Sequence, residues 1–190
     1  MTGVQTCALP IWPLVEKKEV EAIIVTASGC GVTVKEYGHL LRYDSVYAGK
    51  AATISTLAKD ISEILHAELG NLQHLFSQKH TALKTKLSFH SPCTLQHGMQ
   101  IRGVVEEILQ AAGFELSYVA NAHLCCGSAG TYSILQPELS QQLLKNKLAA
   151  LESSNPDHIA TANIGCLMHL KSGAALPVKH WIELLDERLS

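Results

Sequence analysis

Six cysteines punctuate the 190-residue chain: Cys7, Cys30, Cys93, Cys125, Cys126 and Cys166. Four soft thiolates, Cys93, Cys125, Cys126 and Cys166, make a complete ligand set for an iron–sulfur cluster, and zinc is the competing metal. The adjacent pair is unusual. Neighbouring side chains normally point apart, so Cys125 and Cys126 can serve one site only on a distorted turn, and Gly127 supplies the backbone freedom for it. A single buried cysteine is usually an inert small hydrophobe. Four of them, with glycines at 127 and 165, point instead to a metal. A catalytic thiol fits less well, because no third group is identifiable that would orient a histidine against one cysteine. Gly127-Ser-Ala-Gly130 matches neither a phosphate-binding loop nor a dinucleotide fingerprint.

The elements that must position these residues alternate. Ala22–Ala27 is a short apolar run that reads as a buried strand, ending in a Ser28-Gly29-Cys30-Gly31 turn. Ile54, Leu57, Ala58, Ile61, Ile64 and Leu65 recur at helical spacing. Lys86–Phe89 reads as a second strand, and Ile101, Val104, Val105, Ile108, Leu109 and Ala112 as a helical stripe that Gly113 closes. Glu115–Val119 is a third strand. Pro137 opens a helix with Leu139, Leu143, Leu144, Leu148 and Leu151 on one face. Asp157–Ala162 is a fourth strand, and Val178–Leu189 a closing helix. This alternation predicts an α/β fold of parallel-sheet strand–helix repeats. Cys30, Cys93, Cys125, Cys126 and Cys166 then all follow the C-terminal ends of strands, the edge where parallel sheets bind ligands. Helix N-termini there favour thiolates.

A short internal repeat supports the same picture. Ile24-Val-Thr-Ala-Ser-Gly-Cys30 resembles Ile159-Ala-Thr-Ala-Asn-Ile-Gly-Cys166 with one residue inserted. Residues 12–80 read as the end of one module and residues 85–190 as a whole second one. Residues 1–11 lack the pattern of a signal peptide. Val4–Ile11 resembles a translated sequencing adapter, so this segment, with Cys7, is set aside as non-native, and the natural chain is expected to extend upstream.

Composition excludes several classes. Hydrophobic residues make up 47% and charged residues 17%, which rules out a disordered chain. A net charge of −2 and 5% aromatics argue against a nucleic-acid partner or a polybasic membrane surface. No apolar run approaches the ~20 residues of a membrane span. Without a regular disulfide framework, a reducing, cytoplasmic setting is expected.

The spacing Cys93–(31 residues)–Cys125-Cys126-Gly127–(38 residues)–Cys166 resembles the cysteine-rich CCG domain family. Its members include the cysteine-rich subunit of heterodisulfide reductases and the iron–sulfur subunits of glycolate and lactate oxidation systems. The phrases His90-Ser-Pro-Cys-Thr-Leu-Gln-His97, Cys125-Cys-Gly-Ser-Ala-Gly-Thr-Tyr132 and Asn163-Ile-Gly-Cys166 are most similar to the glycolate oxidase iron–sulfur subunits. So is Ala27-Ser-Gly-Cys-Gly-Val-Thr-Val-Lys-Glu-Tyr-Gly38, which in that family closes a first CCG domain. The resemblance implies a [4Fe–4S] cluster on Cys93, Cys125, Cys126 and Cys166, with Cys30 as the corresponding ligand of the first module. His90, His97, His123, His169 and Gly127 would surround the cluster. FAD would sit only on a partner subunit that oxidises glycolate or another 2-hydroxyacid, and electrons would pass toward quinone. Membrane contact would be peripheral at most, at the inner face.

Two departures bear on this. The wider family ends its motif Cys-x-x-Cys, whereas this chain reads Cys166-Leu-Met-His169, and Thr33 stands at the equivalent place after Cys30. His169 has three readings: a fifth ligand, a hydrogen-bond donor to cluster sulfur, or a solvated side chain. The remaining histidines, His39, His66, His74, His80, His158 and His180, read as structural. Two other functions stay open beside electron transfer: a heterodisulfide-reductase-like thiol/disulfide subunit, and a zinc-braced interaction module.

Overall fold

The computed structural model describes residues 11–78 and 85–190. Cys7, nearly all of the adapter-like segment and His80 lie outside the described residues. Two compact units divide the chain, Met1–Ile61 and Ser62–Ser190.

In the first unit, helix α1 (Trp12–Glu16) precedes strand β1 (Ile23–Val25), helices α2 (Ser28–Leu40) and α3 (Ala48–Leu57), and strand β2 (Ala58–Asp60). β1 and β2 pair in parallel, with Ile23 opposite Ala58 and Val25 opposite Asp60. Tyr37, Ala51 and Ile54 form the core between α2 and α3. Ser55 locks the two helices: its Oγ accepts from Gly38 N–H at 2.9 Å and donates to the Val34 carbonyl at 3.0 Å. The helical periodicity of Ile54 to Leu65 is therefore broken. Backbone pairing with β1 outweighs side-chain spacing at Ala58–Asp60, and a new helix, α4 (Ile61–Ala67), starts directly after it. The turn expected at Ser28–Gly31 is instead the first turn of α2.

The second unit holds most of α4, α5 (Leu69–Ser77), β3 (Lys86–His90), a single π-helical turn (Thr94–Gly98), α6 (Val104–Ala111) and β4 (Glu115–Leu116). Then follow α7 (Tyr132–Leu135), α8 (Pro137–Glu152), β5 (His158–Thr161), α9 (Ile164–Lys171), β6 (Val178–His180) and α10 (Trp181–Leu189). The four strands form one parallel sheet in the order β4-β3-β5-β6. β3 and β5 are central and buried along nearly their whole length, as strands covered on both faces must be.

The crossover from β3 through α6 runs to one side and that from β5 through α9 to the other. Right-handed crossovers in opposite directions place their helices on opposite faces of the sheet. Accordingly α5, α6 and α10 pack on one another, and α8 packs with α9. Leu87, Ile108, Leu109, Leu151, Ile159, Leu170 and Trp181 are fully enclosed. Ser88 Oγ donates to the Leu151 carbonyl at 2.6 Å and fixes α8 over β3.

Gly113, with φ +89°, ends the α6 segment as expected. Leu139, placed on the buried face of α8 by periodicity, is exposed. The closing helix begins three residues late because Val178–His180 pair with β5. His180 then caps α10: its Nδ1 accepts from Ile182 N–H at 3.4 Å, and Glu183 Oε2 accepts from His180 N–H at 2.8 Å.

Candidate metal centre

The sheet order explains why cysteines 40 residues apart meet. Cys93 follows β3, Cys125 and Cys126 lie in the loop after β4, and Cys166 sits in the first turn of α9 after β5. β4, β3 and β5 are neighbours. The crevice between the C-terminal ends of β3 and β5, where the crossovers diverge, is the topological switch point at which open parallel sheets bind ligands.

Sulfur–sulfur contacts run in a chain through the four thiols, from Cys93 to Cys125, Cys125 to Cys126 and Cys126 to Cys166. Cys126 and Cys166 are buried; Cys93 and Cys125 are half-buried. Adjacent Cys125 and Cys126 both reach the site because Gly127 has φ +97°, which lets the chain turn sharply enough for its N–H to contact Cys125 Sγ at 3.3 Å. α9 is started by Asn163, whose Oδ1 accepts from the N–H groups of Gly165 at 2.8 Å and Cys166 at 3.3 Å. Asn163 Nδ2 also donates to Thr94 Oγ1 at 3.4 Å, tying the Cys166 turn to the residue after Cys93.

Without metal the Cys93, Cys125 and Cys126 thiols hold their protons. Burial, then the Cys125 thiol, raises Cys93. Cys125 is raised further, chiefly by its contact with Cys126 and then by burial. For Cys126 the contact with Cys125 acts downward, but the contact with Cys166 and burial prevail and push it up to about 12. Metal binding must therefore displace protons from these sulfurs.

Two side chains at the centre escape a reading of motifs. Lys147 on α8 is buried, and its ammonium donates to the carbonyls of Asn121 at 3.1 Å and Ala122 at 3.3 Å in the loop leading to Cys125. Burial lowers its pKa, against the pull of Cys126, Cys125 and Cys166. It lies where it offsets negative charge on the sulfurs, and it lines a cleft of about 220 Å³ beside Cys125 with Asn121, Leu124 and Asn146. Ser140, one turn before Leu144, is fully buried and holds the Gly127 carbonyl. The available signal was positional: Ser140 and Lys147 are polar residues on the stripe that buries Leu144 and Leu151.

The expected histidines divide. His90, the last residue of β3, is 2% exposed, and one of its ring nitrogens joins Cys126 and Cys166 Sγ in a group whose atoms all lie within 4.8 Å of one another. Burial, then the charge of Lys147, lowers its pKa to about 3, so the ring is neutral. His169 is half-buried with Nε2 3.2 Å from Ser140 Oγ. His97 and His123 are exposed. Cys30 is exposed in the first unit, the third residue of α2 as Cys166 is the third of α9.

Four thiols and a neutral buried imidazole form a soft donor set that fits iron–sulfur or zinc and suits no hard cation. Comparison with known proteins agrees. A family model described as a cysteine-rich domain matches residues 87–171. The chain is 48% identical over 178 residues to the glycolate oxidase iron–sulfur subunit of Escherichia coli, covering 94% of this chain and 42% of that protein. It is 35% identical over 161 residues to the probable glycolate oxidase iron–sulfur subunit of Bacillus subtilis, covering 83% and 35%. Lactate utilization protein A of Anoxybacillus flavithermus is 26% identical over 172 residues, covering 87% and 70%. The chain thus spans less than half the length of the two glycolate oxidase relatives. The resemblance read from its motifs holds along nearly all of the chain, and residues 87–171 match the model of the cysteine-rich domain.

Proposed function

We propose that this chain is part of the iron–sulfur electron-transfer subunit of a flavin-dependent glycolate, or other 2-hydroxyacid, dehydrogenase. Cys93, Cys125, Cys126 and Cys166 hold a [4Fe–4S] cluster, and a bound cluster supplies one-electron carrier chemistry. FAD belongs to a partner subunit, quinone is the eventual acceptor, and the chain works in the cytoplasm with at most peripheral contact at the inner face of the membrane. The carrying observation is the convergence of the four thiols at the sheet's switch point. The printed function of the relatives supports the choice of complex. No helix among the described residues is long and apolar enough to cross a membrane.

The chain's own residues build the setting. Asn163 orients Cys166, Gly127 permits the Cys125-Cys126 turn, and Lys147 supplies compensating charge. Enclosure of Cys126 and Cys166 keeps water from the inner sulfurs.

In this reading the chain follows one duplicated design: residues 12–80 are the end of a first cysteine-rich module and residues 85–190 a second. Support comes from order and placement. β1-α2 and β5-α9 each set a cysteine third in the helix, and β2 and β6 each pass directly into a helix. Cys30 is then the first module's counterpart of Cys166.

Iron, zinc and acid-labile sulfide content of the anaerobically purified chain, beside a Cys125→Ser/Cys126→Ser variant, tests the proposal. Iron with matching sulfide, lost in the variant, is the expected result. Zinc without sulfide would favour the braced interaction module and overturn the electron-transfer reading.

A further inference from the structure

We propose that His90 is a direct nitrogen ligand of the metal centre, alongside the thiolates. The assignment rests on the metal-centre reading above. It is carried by the side chain's surroundings. His90 is 2% exposed at the end of a central strand, and neither of its ring nitrogens has a hydrogen-bond partner among the described residues. A buried polar ring with nothing to bond is destabilising, so the metal-free fold keeps this imidazole at a cost. Its reachable neighbours are the sulfurs of Cys126 and Cys166, with the three ligand atoms within 4.8 Å of one another. Atoms so grouped can share one ion, and a neutral imidazole has a lone pair to give it.

The histidine that the motif spacing favours is engaged elsewhere. His169 stands at the position of the wider family's last cysteine, yet its Nε2 is 3.2 Å from Ser140 Oγ. It also packs so closely on Gly127 that a Cβ there would approach that nitrogen to 3.1 Å. The imidazole contribution to the centre therefore comes from the strand end, not from α9. Exchanging a neutral imidazole ligand for a thiolate adds negative charge to a centre and lowers its potential.

Two measurements on the full chain test this separately from the nature of the bound group. In the first, cobalt(II) is titrated into metal-free wild type, His90→Leu and His169→Gln. The expected result is at least tenfold weaker cobalt binding for His90→Leu, with a higher melting temperature of its metal-free form, and little change for His169→Gln. Unchanged cobalt affinity in His90→Leu would overturn the assignment. In the second, pulsed electron paramagnetic resonance of the reconstituted iron–sulfur protein reads coupling to imidazole nitrogen. Coupling lost in His90→Cys, with iron retained and the midpoint potential lowered, is expected. An intact cluster without nitrogen coupling in wild type would also overturn it, and this readout stands even if His90→Leu fails to fold. Cobalt uptake that depends on His90 in a chain that assembles no iron and sulfide would sink the proposed function and leave the ligand assignment standing.

Discussion

Ser140 Oγ donates a 2.9 Å hydrogen bond to the carbonyl of Gly127, fastening α8 to the turn that carries the cysteine pair. The same glycine has φ +97°, and a Cβ on it would run into the Ser140 backbone carbonyl. Side chain and backbone of one serine thus fix a position that only glycine fits. Gly127→Ala is expected to cost about 2–4 kcal/mol, from left-handed backbone strain and overpacking together. Urea unfolding of the metal-free chain measures it, and a loss below ~1 kcal/mol would show that the turn relaxes.

Ser140→Ala should separate the hydrogen bond from the steric fit. The Gly127 carbonyl loses its buried donor, for an expected loss of about 1–3 kcal/mol. Ser140→Thr keeps the hydroxyl but adds a methyl to a fully enclosed position, so it should not restore stability. Full recovery in the threonine variant would contradict the tight packing described.

Asn163 caps α9 and reaches Thr94, so it bears on two of the sulfur-bearing turns. Asn163→Ala should destabilise the chain by about 1 kcal/mol. Asn163→Asp keeps the acceptor for Gly165 and Cys166 but gives up the donor to Thr94, so it should recover helix stability while metal loading stays reduced. Equal metal loading in all three proteins would mean that the Thr94 link is dispensable.

Lys147→Met keeps most of the buried stem and removes the ammonium. A positive charge beside the sulfurs favours the reduced, more negative centre, so its loss should lower the midpoint potential. Redox titration of the reconstituted protein reads this directly. A potential that rises or holds would mean that Lys147 serves only to anchor the Asn121 and Ala122 carbonyls.

Glu106 supplies a pH dependence away from the centre. Burial raises its pKa above the usual carboxylate value, against its own backbone hydrogen bond and with help from the charge of Glu107. The folded chain therefore binds that proton more tightly than the unfolded chain. This contribution to stability is fully present below pH ~4.5 and is lost as pH rises through the folded value. Glu106→Gln should flatten the melting-temperature profile in that range, and an identical slope in both proteins would refute the assignment.

Legibility followed the kind of force at work. Strands β3 and β5, buried on both faces, announce themselves as apolar runs, and the helix from Pro137 to Glu152 by its periodicity and its proline start. Ala58–Asp60 and Val178–His180 did not, because their strand state comes from pairing with β1 and β5 across the fold rather than from any local pattern. At the site, the cysteines and Gly127 were readable as types and spacings. Which histidine turns inward was not: His90, His97, His123 and His169 look alike in the chain, and only the fold separates the buried strand end at His90 from the exposed His97 and His123 and the half-buried His169. Lys147 and Ser140 were hidden by their types, since a lysine or serine on a helix is ordinarily solvated.

The unequal burial of Cys125 and Cys126 gives the centre a wet side and a dry side. On the outer side, at Cys93 and Cys125, water can reorient around a change of charge; around Cys126 and Cys166 the packed interior cannot. An added electron is best accommodated toward the outer sulfurs, and thiol reagents should find the same side first. The centre is therefore polarised along one axis of the domain, with a preferred door for whatever redox group approaches it.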